Sequence, residues 1–335
     1  MSRRKLLSLR VPRSALLGLL ATAALGLATP AAAQPGFSPR RFAAIAIDVR
    51  SGRTLYARNA DARRYPASLT KVMTLYVAFD EIEHRRLRLD DSIVISRHAA
   101  AQAPTKLGLA PGARISVRDA INVIAVKSAN DIAVALAEKI AGSEAGFVHR
   151  MNRTAQRLGM RHTHFDNASG LPDPANVSTA RDLSRLAKAF IAQHPEGYAV
   201  FDQEQTRFRG RWISGHNRLI AQPGIDGVKT GYIRASGFNL ITSGVRDGHR
   251  VVAVVLGGDT ARVRDAFMTR LMRTSFARLA SPTRARAIVT AAAAPSQAPA
   301  VIAKAGAPAA SGADIWWVQV GAFETRGQAL AALEA

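Results

Sequence analysis

The chain has 335 residues, 48% of them hydrophobic, with no cysteine and a net charge of +22 from 46 Lys and Arg against 24 Asp and Glu. The missing cysteines exclude disulfides and thiolate metal sites, so stability must come from the core of a domain of ordinary enzyme size. The strong positive balance asks for an anionic partner, whose nature depends on the compartment.

Residues 1–33 read as a secretory signal: Arg3, Arg4, Lys5, Arg10 and Arg13, then the apolar run Ala15 to Ala28, then Ala31-Ala32-Ala33 before Gln34. Ser2-Arg3-Arg4 ahead of Leu6-Leu7 leaves twin-arginine export open beside the ordinary route. The apolar run is short for a membrane span, which favours cleavage over a retained anchor. Loss of five cations with the leader takes the charge to about +17. The expected destination is outside the cytoplasm: periplasmic, or associated with the cell wall or membrane surface. A basic surface suits an anionic wall there, and nucleic acid is excluded as a partner.

Phe42 to Val49 and Thr54 to Ala57 flank Ser51-Gly52 and predict a hairpin. A largely helical stretch follows from Ser68 to about Phe190. Strands return at Gly237–Thr242 and Val251–Leu256 around Asp247-Gly248, and Asp226-Gly227 is expected to turn the chain just before Lys229. A last helix runs from about Ala261 to Leu279. Strands at both ends enclosing helices predict an α/β (α+β) domain over residues 38–280: one antiparallel sheet flanked by terminal helices, plus a mostly helical subdomain. Residues 281–313 shift to Ala, Pro, Ser and Gly and read as an extended linker. Residues 314–335 begin with the strand-like alternation of Asp314 to Phe323, followed by a helix start.

Three short motifs carry chemistry. Ser68-Leu69-Thr70-Lys71 follows Tyr65-Pro66-Ala67, so Ser68 is expected in the first turn of a helix with Lys71 one turn along the same face. Serine needs a neighbour to take its proton, and Lys71 can do so only if burial and a second cation such as Lys229 lower its pKa. Ser128-Ala129-Asn130 lies between two helical stretches, where a loop aims both side chains into a cleft. Lys229-Thr230-Gly231 offers a cation and a hydroxyl to a carboxylate, and Gly231 lets a substrate backbone approach. Each motif alone is weak, since Ser2-Arg3-Arg4-Lys5 also matches the first. Order and spacing together form the signature of penicillin-recognising serine enzymes.

From about Phe42 to about Leu279 the sequence resembles the low-molecular-mass penicillin-binding proteins, the D-alanyl-D-alanine carboxypeptidase family. The likeness extends to Asn167–Pro172, Ser178–Leu183 and Pro223–Gly231. It implies the DD-peptidase/β-lactamase-like fold, with the active site between sheet and helical part. It implies Ser68 as nucleophile, Lys71 as base and Ser128 as proton relay. Asn130 then binds a substrate amide, while Lys229, Thr230 and Gly231 receive the carboxylate end. The backbone N–H groups of Ser68 and Tyr232 form the oxyanion hole. Arg264 fits a second carboxylate contact, with a solvated helix charge as the alternative. No cofactor is implied and no metal, His162, His164 and Asp166 being read as structural. The implied partners are peptidoglycan stem peptides and β-lactams, and the implied reaction removes the terminal D-alanine through an acyl-enzyme on Ser68. A DD-endopeptidase cutting cross-links shares every motif, and a largely non-catalytic wall-binding protein is the other alternative. A class A β-lactamase would need a Glu where Asn167 to Pro174 has none. Residues 314–335 resemble the truncated start of a SPOR domain, a peptidoglycan-binding module, which would add glycan strands as partners.

Overall fold

The computed structural model describes residues 34–280. The expected signal, linker and SPOR-like segment lie outside the described residues.

Strands β1 (Ala43–Asp48) and β2 (Thr54–Arg58) form the expected hairpin, and α1 (Thr70–Glu83) opens the helical part. Next come β3 (Ser92–Val94), α2 (Arg97–Ala100), β4 (Arg114–Ser116), α3 (Val117–Val126), α4 (Asn130–Ala141), α5 (Glu144–Arg157), α6 (Ala180–Gln193) and α7 (Pro195–Tyr198). The chain then enters a hairpin of β5 (Gln205–Phe208) and β6 (Arg211–Ser214), followed by β7 (Ile225–Ile233), β8 (Gly237–Arg246), β9 (His249–Gly258) and α8 (Ala261–Ala280). The main sheet has the order β2-β1-β9-β8-β7, antiparallel throughout. Both ends of the described domain therefore build one sheet, as the sequence pattern predicts.

Val251 to Leu256 in β9 is apolar at nearly every position because both faces of that strand are covered. Alternate residues Val252, Val254 and Leu256 join the large core shared with α1, α3, α4 and α6. Val251, Ala253 and Val255 join a second cluster with Phe267, Met268 and Leu271 of α8. A strand buried on both faces loses the polar alternation of a half-exposed one. Ser116, Ser143 and Thr179 cap α3, α5 and α6, each accepting from the backbone N–H three residues on.

Two details differ from the sequence reading. The helical stretch is interrupted by the β3–β4 pair, whose three-residue strands are too short for a period to register. Asp226-Gly227 is no turn but lies inside β7, where the pairing with β8 slips between Ile225 and Gly227. A Cβ on Gly227 would stand 2.9 Å from the Tyr198 hydroxyl, so this glycine serves close packing rather than chain reversal. The Asp226 carboxylate accepts from Tyr198 Oη at 3.1 Å and from Arg250 at 2.6 Å. Together these pin the start of the edge strand that carries Lys229.

Candidate active site

Ser68 occupies a short 3-10 turn, Ala67–Leu69, that runs directly into α1, rather than the first turn of the α-helix itself. Pro66 precedes the turn and Ala67 is forced to φ +52°. Positive φ at alanine costs on the order of 1–2 kcal/mol and persists only where neighbours hold it. Three neighbours do. Asn239 of β8, wholly buried, donates from Nδ2 to the carbonyls of Tyr65 (3.1 Å) and Pro66 (3.2 Å). Gly231 of β7 runs so close that a Cβ there would be 3.0 Å from the Ser68 nitrogen. Gly170, at φ +79°, lies against the turn from the other side, where a Cβ would fall 1.9 Å from the Ala67 carbonyl oxygen.

Lys71 is fully buried, and its Nζ faces three acceptors: Ser68 Oγ at 3.3 Å, Asn130 Oδ1 at 2.6 Å and the Ser169 carbonyl. Burial, then the nearby Lys229, push its pKa well below the ordinary lysine value, against an opposing pull from Asp131. A neutral amine has two N–H donors and one lone pair. With Asn130 and the Ser169 carbonyl taking the donors, the lone pair is left for the Ser68 hydroxyl proton. The Asn167–Pro172 stretch thereby gains a role the sequence left blank. Asn167 Oδ1 accepts from the Gly170 nitrogen at 2.6 Å and the Ser169 nitrogen at 3.2 Å, shaping the loop that presents the Ser169 carbonyl to Lys71.

Ser128 stands at φ +65° in the three-residue link between α3 and α4. Its Oγ is buried without a hydrogen-bond partner among the described residues, a position that costs about 1–3 kcal/mol unless a ligand completes it. Asn130 opens α4. Its Nδ2 already donates to the Ala103 carbonyl at 2.8 Å, leaving its second N–H for a substrate.

Lys229 is 2% exposed, and among the described residues the one hydrogen bond of its Nζ is to the Thr230 carbonyl at 3.3 Å. Burial and the neighbouring Arg264 lower its pKa to about 7. It forms no ion pair among the described residues, so this cation is unneutralised. Arg264 is 3% exposed, which rules out the solvated helix charge. Its guanidinium donates to the Asn239 carbonyl at 3.2 Å and to the Asp265 carboxylate at 2.6 Å and 2.9 Å. Tyr232 is 54% exposed and leans on Phe238, ring centroids 4.4 Å apart.

Ser68, Ser128, Thr230, Gly231, Tyr232 and Arg264 line one cavity of about 480 Å³. Lys71, Asn130 and Lys229 sit behind its wall, each touching or adjoining a lining residue. Sequence reasoning missed His216, Arg218 and Asp265, which also line the cavity, and it missed the Asn239 clamp. Burial and the cations Lys229 and Lys127 lower the His216 pKa. Arg218 and Arg264 bring positive charge to the cavity, with Asp265 as the acid in its wall.

The D-alanyl-D-alanine carboxypeptidase family profile matches residues 30–260, which hold all three motifs. This chain belongs to that family. Among curated relatives of the D-alanyl-D-alanine carboxypeptidase family it is 38% identical over 237 residues to DacD of Escherichia coli and 35% identical over 239 residues to DacF of Bacillus subtilis. These alignments cover 68% and 70% of this chain and 61% of each relative, so the chain spans about three-fifths of their length. Among solved structures it is similar to penicillin-binding protein 5 of Haemophilus influenzae, with a TM-score of 0.69 and 32% identity over 74% of this chain and 73% of that one. It is also similar to penicillin-binding protein D2 of Listeria monocytogenes in its cefotaxime-bound form, with a TM-score of 0.65 and 32% identity over 72% of this chain and all of that one. The antiparallel sheet flanked by helices is the fold of this family.

Proposed function

We propose that this protein is a serine-type D-Ala-D-Ala carboxypeptidase that trims the terminal D-alanine from peptidoglycan stem peptides and is acylated by β-lactams. The observation that carries the reading is the buried Lys71, with its donors spent on Asn130 and Ser169 and its remaining face on Ser68 Oγ.

Lys71 takes the Ser68 proton as Oγ bonds to the carbonyl carbon of the penultimate D-alanine. The developing oxyanion accepts from the backbone N–H groups of Ser68 and Tyr232. Lys229 as a cation and the Thr230 hydroxyl hold the terminal carboxylate, with Arg264 behind them. Ser128 passes a proton to the amide nitrogen, the C–N bond breaks, and D-alanine leaves. Water, giving its proton back along the same route, then cleaves the acyl-enzyme and restores the Ser68 hydroxyl. In a β-lactam the same serine would open the ring amide. The strongly basic balance of the chain suits an anionic wall or membrane face, to which the leader-like residues 1–33 would export it.

One observation keeps the endopeptidase reading in view: a cavity of about 480 Å³ exceeds what a D-alanine methyl group requires. The deciding experiment compares release of free D-alanine from a pentapeptide with cleavage of a purified cross-linked dimer. Faster D-alanine release is expected, and neither product appearing would defeat the proposal.

A further inference from the structure

The β5–β6 hairpin has no part in the chemistry above, yet it carries the most exposed large apolar side chain among the described residues. Trp212 is 66% exposed. The strand register explains its direction. Thr206 pairs with Ile213, and this pair faces inward, Thr206 buried and Ile213 packed on the main core beside α3. Neighbouring positions on a strand point to opposite faces, so the adjoining pair Arg207–Trp212 faces outward. Arg209 and Gly210, both at positive φ, make the tight two-residue turn, and Arg209 lies over the Phe208 ring. Arg207, Arg209 and Arg211 form no ion pair among the described residues, although Asp202 and Glu204 are close in sequence. Tryptophan and arginine in the open are the residue types that interfaces favour, and unneutralised guanidinium groups call for an anionic partner.

The position of the hairpin says what that partner is. Its base is closed by Gly215 N donating to the Glu204 carbonyl at 2.7 Å, and the next residues, Gly215 and His216, already line the catalytic cavity. Trp212 is three residue steps from Gly215, about 10 Å of extended chain. An extended stem pentapeptide spans about 17 Å. Ser68 lines the same cavity as Gly215 and His216, so a stem peptide with its end at Ser68 lies in a cleft whose wall runs on into the hairpin. Sugar rings offer flat C–H faces to an indole, and the stem peptides that hang from a glycan strand bear carboxylates for the arginines.

We propose that the outward Arg207–Trp212 face of the β5–β6 hairpin is a docking surface for peptidoglycan strands, holding the polymer beside the cleft that cuts its stems. This rests on the carboxypeptidase reading for the identity of the polymer, and it separates substrate in a wall from a free peptide.

The test uses the full chain, with Trp212→Ala and Arg207→Glu each compared with wild type. Sedimentation with purified insoluble peptidoglycan should weaken by about fivefold or more in each variant. D-alanine release from the polymer at low substrate should fall by a similar factor, while the rate on a soluble pentapeptide and the labelling by a fluorescent penicillin stay unchanged. Trp212→Phe should keep most of the binding. Unchanged sedimentation would overturn the proposal, as would an equal loss on the soluble peptide, which would mark a merely structural role. Loss of binding to anionic phospholipid vesicles with peptidoglycan binding intact would assign the surface to the membrane instead. Because sedimentation needs no turnover, Trp212-dependent binding without D-alanine release from any substrate would sustain the surface while retracting the carboxypeptidase reading.

Discussion

Asn130 Oδ1 accepts from Lys71 Nζ at 2.6 Å across 59 positions of sequence, tying the second motif to the first. The contact fixes which way the amine points. Lys71→Ala should therefore slow acylation by a fluorescent penicillin far more than it weakens initial binding, by about 100-fold or more in rate. Ser68→Ala should abolish labelling in a protein of unchanged circular dichroism. A Lys71 effect confined to the apparent dissociation constant would make that lysine an anchor instead of a base.

The pH profile follows from two lysines shifted in the same direction. Lys71 must lose its proton to act, and Lys229 must keep its own to hold a carboxylate. kcat/KM for a pentapeptide should gain from deprotonation of Lys71, whose pKa is depressed, and should lose activity as pH rises through about 7, where Lys229 gives up its proton. Bound carboxylate favours the charged lysine, so the alkaline limb measured in kcat should lie higher than the one in kcat/KM. An alkaline limb near the ordinary lysine value in kcat/KM would separate Lys229 from substrate binding.

Lys229 also has a stability consequence. Its folded pKa of about 7 is below the model-compound value of 10.5, so between these two pH values the unfolded chain binds the extra proton. Stability then rises with pH across that window, and below it the full cost of the buried cation is present. Lys229→Met should raise the melting temperature at pH 6 by several degrees and flatten the rise towards pH 10, while acylation and D-alanine release fall. Thermal scans at the two pH values check this, and an unshifted melting temperature at pH 6 would contradict it.

Gly170 offers a test of positioning at a distance from the reacting atoms. Its absent Cβ leaves room for the Ala67 carbonyl, and its φ of +79° suits no side chain. Gly170→Ala should cost about 2 kcal/mol or more in stability and slow acylation by at least about tenfold, because both the Ser68 turn and the Ser169 carbonyl must shift. Denaturant unfolding and stopped-flow acylation measure the two effects. Acylation at the wild-type rate would mean that the loop does not position Lys71.

The three motifs were legible because their chemistry admits few residue types and their order is fixed. The terminal strands and helices were legible because β9 and α8 carry long apolar patterns. Other parts answer to partners no local pattern reveals. Asn239 clamps the nucleophile turn through backbone carbonyls 173 and 174 positions away, and a backbone carbonyl has no sequence signature. The β5–β6 hairpin has no clear period in the sequence because arginines fill alternate positions and one of them, Arg211, shares the inner face with Phe208, Thr206 and Ile213. In sequence Asp226-Gly227 reads as a turn because glycine beside aspartate usually marks one. Here Tyr198 and Phe201 press on that glycine, so the same dipeptide stays in a strand.

Arg264 and Lys229 are coupled, and the coupling decides how Arg264 acts. Arg264 is buried in the cavity wall with one side of its guanidinium taken by Asp265, and its charge is one of the two causes that lower the Lys229 pKa. Removing it should have two effects of opposite kind. Arg264→Ala should raise KM for a pentapeptide, since positive charge near the carboxylate is lost. It should also move the alkaline limb of kcat/KM to higher pH, since Lys229 recovers part of its ordinary affinity for a proton. Arg264→Lys, which keeps a charge but not the fork on Asp265, should restore the limb more fully than the KM. A higher KM with an unmoved limb would place Arg264 on the substrate alone. A moved limb with an unchanged KM would leave it as a residue that tunes Lys229, and wild-type values in both measurements would remove it from the site.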